Sequence, residues 1–280
     1  MIDFTPSSIA VQVGPFPVYW YGIAYAVGLA VAYAVMVGQA RRLGHDPGPL
    51  GNGLIVVAVA ALIGGRLYHV IDQFNACGPG QPCYSQDLLK IILPPYSGLG
   101  AFGGIVTGSL AFIAYCRWAK IDAWAYADIV APGLFTMQAI ARWGNFFNQE
   151  LYGPPTNGPL GIAIDCAHRV VPYTCDAYPL TTTFFTPLFL YESISGALGA
   201  LALIWLARRK PRWYRSGDLL AIFFIWYSVV RFLLENLRTG NWKLDGIPTA
   251  QLFSIGFVLV ALAIVAYRHR PRGTAAPSTA

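Results

Sequence analysis

Seven long apolar runs constrain this chain more than any other feature. They cover residues 18–40, 50–71, 98–116, 124–141, 187–207, 219–234 and 249–267. A bilayer core about 30 Å thick is crossed by roughly 20 apolar residues of helix, and these runs meet or approach that length. The first, third and seventh carry no charged residue. Only a helix satisfies its own backbone in lipid, and a lipid-facing barrel would show alternating segments of roughly 10 residues instead. Charged residues make up 11% of the chain against about 25% in a soluble domain, which excludes an ordinary soluble fold. Disorder is excluded for the same reason. The expected class is an all-α polytopic membrane protein with seven transmembrane helices. A single membrane-embedded domain is expected over residues 1–270, with a disordered cytoplasmic tail at 271–280.

The net charge of +6 suggests nucleic acid only until the charges are placed. Arg41 and Arg42 follow the first run, and Arg117 and Lys120 the third. Arg208, Arg209, Lys210, Arg212 and Arg215 follow the fifth, and Arg268, Arg270 and Arg272 the seventh. These segments hold twelve of the nineteen basic residues, and all fall on one side. The other side holds none in residues 1–17, Lys90 between the second and third runs, and mainly Arg169 before the fifth. Basic residues stay in the cytoplasm, so the N-terminus is expected outside and the C-terminus inside. The amino end has no basic n-region, so the first run is expected to act as an uncleaved anchor.

Two segments on the outer side are long, 72–97 and 143–186. The second is rich in Gly, Pro and Thr and is expected to form a small irregular or β-containing extracytoplasmic cap. Four of the five cysteines lie in these segments, as Cys77 with Cys83 and Cys166 with Cys175. On an oxidising side they suit two local disulfides, with free thiols as the other reading. No CxxC occurs and the four histidines are scattered, so no metal site is expected.

Ionisable residues inside spans are costly and invite explanation. Arg66, Arg142, Glu192 and Arg231 come from four different runs, all near the outer end, with Glu235 and Arg238 just beyond Arg231. Snorkelling and structural ion pairs are the bland account. The shared depth favours another: converging guanidinium forks match the oxygens of a phosphate. Arg142, Asn145 and Gln149 share a helix face if that helix continues, and Arg231, Glu235 and Arg238 share another.

These residues fall in motifs that resemble the prolipoprotein diacylglyceryl transferase family. The stretch Arg142-Trp143-Gly144-Asn145-Phe146-Phe147-Asn148-Gln149-Glu150-Leu151-Tyr152-Gly153 is similar to that family's signature GRxGNFxNxExxG. Trp20-Tyr21-Gly22 and Gly64-Gly65-Arg66 look like its first and second spans. Pro187-Leu188-Phe189-Leu190-Tyr191-Glu192 resembles its HPxxLYE segment, and Arg231-Phe232-Leu233-Leu234-Glu235-Asn236-Leu237-Arg238 its RFxxExxR segment. Three positions depart: Ala141 replaces the first signature glycine, Thr186 the leading histidine of HPxxLYE, and Phe102 a histidine treated in some members as the catalytic base.

The resemblance implies a bacterial plasma-membrane enzyme with its site toward the outer face. Its substrates would be phosphatidylglycerol and a prolipoprotein whose lipobox cysteine attacks the glycerol carbon bearing the phosphate. The expected catalytic residues are Arg231, Arg142, Glu235 and His69. Arg142, Asn145, Asn148, Arg66, Tyr21, Glu192, Arg238 and Gly153 are expected to bind the phospholipid. The base stays open between His69, Tyr21, Tyr25, Glu192 and a thiol ionised by the local positive field alone. With no Walker loop and no HExxH, no cofactor is expected. A carrier or channel for a phosphate-bearing anion is the competing class, and a purely structural membrane scaffold the third. The carrier requires charge along a path to the inner side, where only Asp128 lies; the scaffold leaves the polar run 142–150 unexplained.

Overall fold

The structure is a computed structural model that describes residues 1–75, 77, 83–91, 98–238 and 243–270. Among these residues the chain forms seven α-helices: α1 (Trp20–Leu43), α2 (Gly48–Asp72), α3 (Ala101–Trp118), α4 (Ala123–Phe147), α5 (Leu188–Arg209), α6 (Asp218–Glu235) and α7 (Thr249–Arg268). Two small antiparallel hairpins accompany them, β1 (Ile9–Val13) with β2 (Phe16–Tyr19), and β3 (Lys243–Leu244) with β4 (Ile247–Pro248). The expected tail at 271–280 lies outside the described residues.

The chain is a helical membrane protein. Ile55, Ile63, Leu110, Leu201 and Leu259 are each more than 60% exposed, so apolar side chains face outward along helix after helix. In water such surfaces would associate; in lipid they are at home. Among the described residues α1, α2, α5 and α7 are long and apolar enough to cross a membrane. By contrast α4 carries Asp128 and Arg142, and α6 carries Asp218, Arg231 and Glu235.

Contacts divide the chain into two compact units, residues 1–43 with 127–280, and residues 44–126. The smaller unit is the α2–α3 pair. A Cβ on Gly64 would overlap the Thr107 side chain, and one on Gly103 would overlap the Gly64 carbonyl. Glycines therefore let these two backbones touch, as small residues do at membrane helix crossings. Thr107 Oγ1 donates to Ala60 O at 2.8 Å across the same crossing. A disulfide joins Cys77 to Cys83 in this unit, while Cys116 is a buried thiol.

The larger unit is built around α4. A Cβ on Gly28 of α1 would lie 3.4 Å from Met137 O, and one on Gly196 of α5 3.0 Å from Phe135 O. Ser193 Oγ donates to Ala139 O at 2.6 Å. At the opposite end from the arginines, fully buried Asp128 accepts bonds from Tyr214 OH (2.7 Å), Gly217 N (2.8 Å) and Leu220 N (3.1 Å). Its carboxylate thus satisfies the otherwise unpaired amides at the start of α6.

Several boundaries differ from those read in the apolar pattern, and packing accounts for two of them. Residues 18 and 19 are not helical: Val18 pairs with Val11, and Tyr19 with Ile9. Val and Tyr suit a strand, and the Gly14 turn at φ +58° folds the chain back to pair them. The helix α4 does not stop at 141 but runs to Phe147, so the irregular segment starts at 148 rather than 143. Stacking of Phe147 on Trp20, with centroids 4.7 Å apart, holds the added turn against α1.

The segment from 148 to the start of α5 is irregular, with isolated β-bridges and a short 3₁₀ turn, Cys166–His168. Its own small core is Tyr152, Ile162, Ile164, Phe185 and Phe189. Cys166 is bonded to Cys175. The N-terminal strand of chain binds here too: Ile2 N donates to Gly161 O and Ala163 N to Ile2 O, at 2.8 and 3.1 Å.

Candidate functional site

Three helix ends bring the charges of the larger unit together. Arg142 is one turn from the end of α4, Glu192 one turn into α5, and Arg231 one turn from the end of α6. Glu192 is 2% exposed and forms ion pairs with both guanidinium groups: Oε2 with Arg142 Nη2, and Oε1 with Arg231 Nη1 at 3.7 Å. Arg231 Nη2 also meets Glu235 Oε2 at 2.7 Å, an i,i+4 pair along α6. One buried carboxylate therefore sets the spacing of two arginines, and a second fixes the rotation of one of them. A carboxylate this deep is tolerable only when paired, and here it is paired twice.

Arg238 lies past the end of α6 and not on its face, because the helix stops at Glu235. It still feels the charges of Arg231, Glu235, Glu192 and Arg142. Tyr227, one turn before Arg231, sits in the field of Glu192 and of all three arginines. The centre thus pairs two guanidinium groups, of Arg142 and Arg231, with two buried carboxylates, Glu192 and Glu235, and the exposed Arg238 adds its charge from beyond the end of α6.

A polar relay leads from the arginines to open space. Arg142 Nη1 donates to Asn145 Oδ1 at 3.4 Å, and Asn145 Nδ2 donates to Glu150 Oε1 at 2.7 Å. Arg142 Nε is buried without a hydrogen-bond partner. A cleft of about 640 Å³ is lined by Ser8, Val18, Tyr19, Tyr21, Gly22, Ile23, Asn148, Glu150 and His168. Tyr21 OH donates to Tyr25 OH at 3.1 Å. Gly144 carries Tyr21 close to the relay, since a Cβ there would lie 2.9 Å from the tyrosine ring. At Gly153 a Cβ would lie 3.0 Å from Leu237 O, so this glycine admits the backbone that leads into Arg238.

Gln149 leaves the α4 face on which the pattern put it. It adopts φ +53° and turns its amide outward from the helix axis. Gln149 Nε2 donates to Pro6 O at 3.0 Å and Asp165 Oδ2 at 2.8 Å, and its Oε1 accepts from Asp165 N at 2.8 Å. The residue anchors the irregular segment and holds Asp165 in place. Asp165 in turn contacts His168 Nδ1 at 2.6 Å. Burial pushes the Asp165 carboxyl up, but the bonds from His168 and Gln149 outweigh it and hold the group below the usual carboxylate range.

Of the residues expected at the site, Tyr21, Arg142, Asn145, Asn148, Gly153, Glu192, Arg231, Glu235 and Arg238 all belong to the larger unit. Arg66 and His69 belong to the smaller one. There Arg66 Nη2 donates to Lys90 O at 2.7 Å, and its guanidinium lies 5.2 Å from the Tyr84 ring centroid. The His69 ring meets the same tyrosine edge-on at 6.0 Å and is pressed against Gly98, whose φ of +80° only glycine adopts readily. Phe102 packs near Tyr68, ring centroids 6.1 Å apart.

Sequence reasoning gave Glu192 a supporting part, whereas it is the central carboxylate. The Asp165–His168 pair was missed altogether. Its signal was an acidic residue three positions before a histidine, beside a cysteine that staples the turn.

Fold and site define a helical membrane protein with a buried arginine–carboxylate centre bordered by a wide cleft. The model of the prolipoprotein diacylglyceryl transferase family matches residues 8–267. The chain is 33% identical over 264 residues to a phosphatidylglycerol–prolipoprotein diacylglyceryl transferase of Streptococcus pneumoniae (strain ATCC 700669 / Spain 23F-1), covering 94% of this chain and 95% of the relative. It is 31% identical over 266 residues to the protein of that name from Streptococcus equi subsp. zooepidemicus (strain MGCS10565), covering 95% and 96%. The chain belongs to the prolipoprotein diacylglyceryl transferase family, and is a transferase of lipoprotein biosynthesis.

Proposed function

We propose that this chain transfers the diacylglyceryl group of phosphatidylglycerol to the cysteine thiol of a prolipoprotein lipobox and releases glycerol phosphate. The carrying observation is that Arg142 and Arg231, from separate helices, converge on the single buried carboxylate of Glu192. The cysteine sulfur forms a bond to the glycerol carbon, and the carbon–oxygen bond to phosphate breaks. The electron pair leaves on the phosphate oxygen, so charge on that oxygen grows in the transition state. Fixed cations in a dry site stabilise such charge without reorganising.

In this reading Arg142 and Asn145 hold the phospholipid headgroup, and the partnerless Nε of Arg142 is a donor suited to its oxygens. Arg231, turned by Glu235, faces the leaving phosphate. Glu192 bridges the two guanidinium groups, offsets their mutual repulsion and holds them at a set spacing. Arg238 adds positive field, while Tyr21, Asn148 and Gly153 shape the cleft side. Arg66 is engaged with backbone carbonyls in its own unit and supports that unit.

The carrier alternative is disfavoured by Asp128. That carboxylate is spent on the first amides of α6 and on Tyr214, and lines no path. Reconstitution in phosphatidylglycerol vesicles with a lipobox peptide separates the classes. The expected result is glycerol phosphate release in proportion to the cysteine peptide, and none with the cysteine changed to serine. Anion flux without peptide-dependent release would instead mark a carrier.

The same reading puts seven spans in the membrane, the N-terminus and the 148–187 segment outside, and the α5–α6 loop inside. Single cysteines at exposed Ser7 and Arg212, in a Cys116→Ala background, test this with an impermeant thiol reagent on sealed cells. Only the Ser7 position is expected to react; labelling of both to the same extent removes the orientation.

A further inference from the structure

We propose that His168 is the general base that takes the proton from the prolipoprotein cysteine, with Asp165 as its positioning residue. This rests on the transferase reading above and supplies what that reading lacks. A thiol must become a thiolate to attack, and a free cysteine has a pKa of about 8.5. Phe102 cannot accept a proton. Glu192 is locked between two arginines. The His69 Nε2 is buried and its ring is pressed against Gly98 in the other unit.

His168 has the geometry that the others lack. Its Nδ1 meets Asp165 Oδ1 at 2.6 Å, and since the carboxylate only accepts, Nδ1 carries the hydrogen. That leaves Nε2 as the lone-pair nitrogen, and it has no hydrogen-bond partner among the described residues. The side chain is 41% exposed and lines the same cleft as Tyr21, Asn148 and Glu150. Glu150 is the end of the relay from Arg142, so this cleft borders the phosphate centre. The arrangement of carboxylate, imidazole and open nitrogen is that of an oriented base beside a nucleophile's position.

The base is also rigidly held. Asp165 is gripped on both sides by Gln149, and its Oδ1 accepts from His168 N at 3.1 Å. Tyr152 OH donates to His168 O at 3.2 Å, and the Cys166–Cys175 disulfide closes the turn. Of the titratable and charged groups around the imidazole, Tyr19, Tyr21 and Glu150 line the cleft, and Asp165 binds the ring. Arg169 is next in the chain, but its guanidinium bonds Ile164 O and Tyr178 O. The step balances: sulfur gives its proton to Nε2 and its electron pair to the glycerol carbon. The phosphate oxygen leaves with the carbon–oxygen pair, and the imidazolium returns its proton to water.

The experiment measures turnover of a lipobox peptide in phosphatidylglycerol vesicles from pH 6 to pH 9.5, for wild type, His168→Gln and His168→Ala. General bases contribute about 10²–10⁴-fold, so kcat of His168→Gln is expected to fall at least about 10²-fold at pH 7. KM for phosphatidylglycerol should change little, because the proposal sets His168 to act on the peptide thiol and not on the phosphate. The deficit should shrink to a few-fold above pH 9, where the peptide thiol ionises without help. Added imidazole should restore rate to His168→Ala in proportion to its concentration. A His168→Gln rate within threefold of wild type across the range overturns the assignment. So does a deficit that is the same at every pH and unmoved by imidazole. If Arg142→Lys fails while His168→Gln does not, the phosphate reading stands without this base. If the wild type shows no cysteine-dependent release, the transferase reading falls and this one with it.

Discussion

Replacing Arg142 or Arg231 with lysine is expected to lower turnover by about 10²–10³-fold, the loss seen when one fixed donor to a developing oxyanion is removed. Lysine keeps the positive charge, so a purely electrostatic role would lose little. It cannot present two parallel donors, and the ion pairs with Glu192 would slacken at one end. Arg142 is partly exposed and Arg231 less so, and both donate from the ends of helices whose other contacts remain. The fold should therefore survive. Initial rates at saturating phosphatidylglycerol, read beside the melting temperature of each purified variant, decide the matter. Arg117→Gln, at the far end of α3, serves as control and is expected to keep near wild-type turnover. Should both lysine variants turn over like the wild type, the arginines are structural.

Glu192→Ala is expected to be the most damaging single change in the larger unit. It removes the carboxylate that both guanidinium groups share and leaves two cations facing each other in a buried site. Breaking one partner out of a buried pair costs about 3–5 kcal/mol, because the remaining charge stays desolvated. The variant should melt far lower than wild type and lose activity even in the fraction that folds. A double-variant cycle isolates the cause. If Glu192 acts through Arg142, then Glu192→Ala with Arg142→Ala should be less destabilised than the two single losses added together. Strict additivity, or a Glu192→Ala variant as stable as wild type, would contradict the shared-carboxylate account. Arg231→Ala in place of Arg142→Ala asks the same question of the weaker, 3.7 Å contact, where a smaller coupling is expected.

These outcomes bear on why the charges lie inside the protein at all. Two arginines and two carboxylates among apolar helices form a poor source of stability and a good source of geometry. Each carboxylate has an identifiable task, Glu192 between two helices and Glu235 along one. The helices can approach closely enough for this because small residues stand at the crossings. Gly196 meets the α4 backbone, and Gly144 meets Tyr21.

Much of this protein was legible in its sequence. Helix positions follow from apolar run length, which is a local property. The run at 249–267 became α7 (Thr249–Arg268), and that at 187–207 became α5 (Leu188–Arg209). The charges that meet at Glu192 also stood out as charges in or beside apolar runs, though the same signal picked out Arg66, which the structure engages with Lys90 O in the smaller unit. What tertiary structure alone decided was which atoms meet. No local pattern says that Glu192 binds two arginines from two other helices, or that Arg66 is engaged by Lys90 O. The extra turn of α4 depends on Phe147 stacking against Trp20, a contact distant in sequence. Gln149 leaves the helix at a positive φ to reach Asp165, and so orients His168 in a cleft that Tyr21 also lines. Apolar patterning determines where a chain enters and leaves lipid. The direction of a buried hydrogen bond depends on long-range packing, and that is settled only when the helices close on one another.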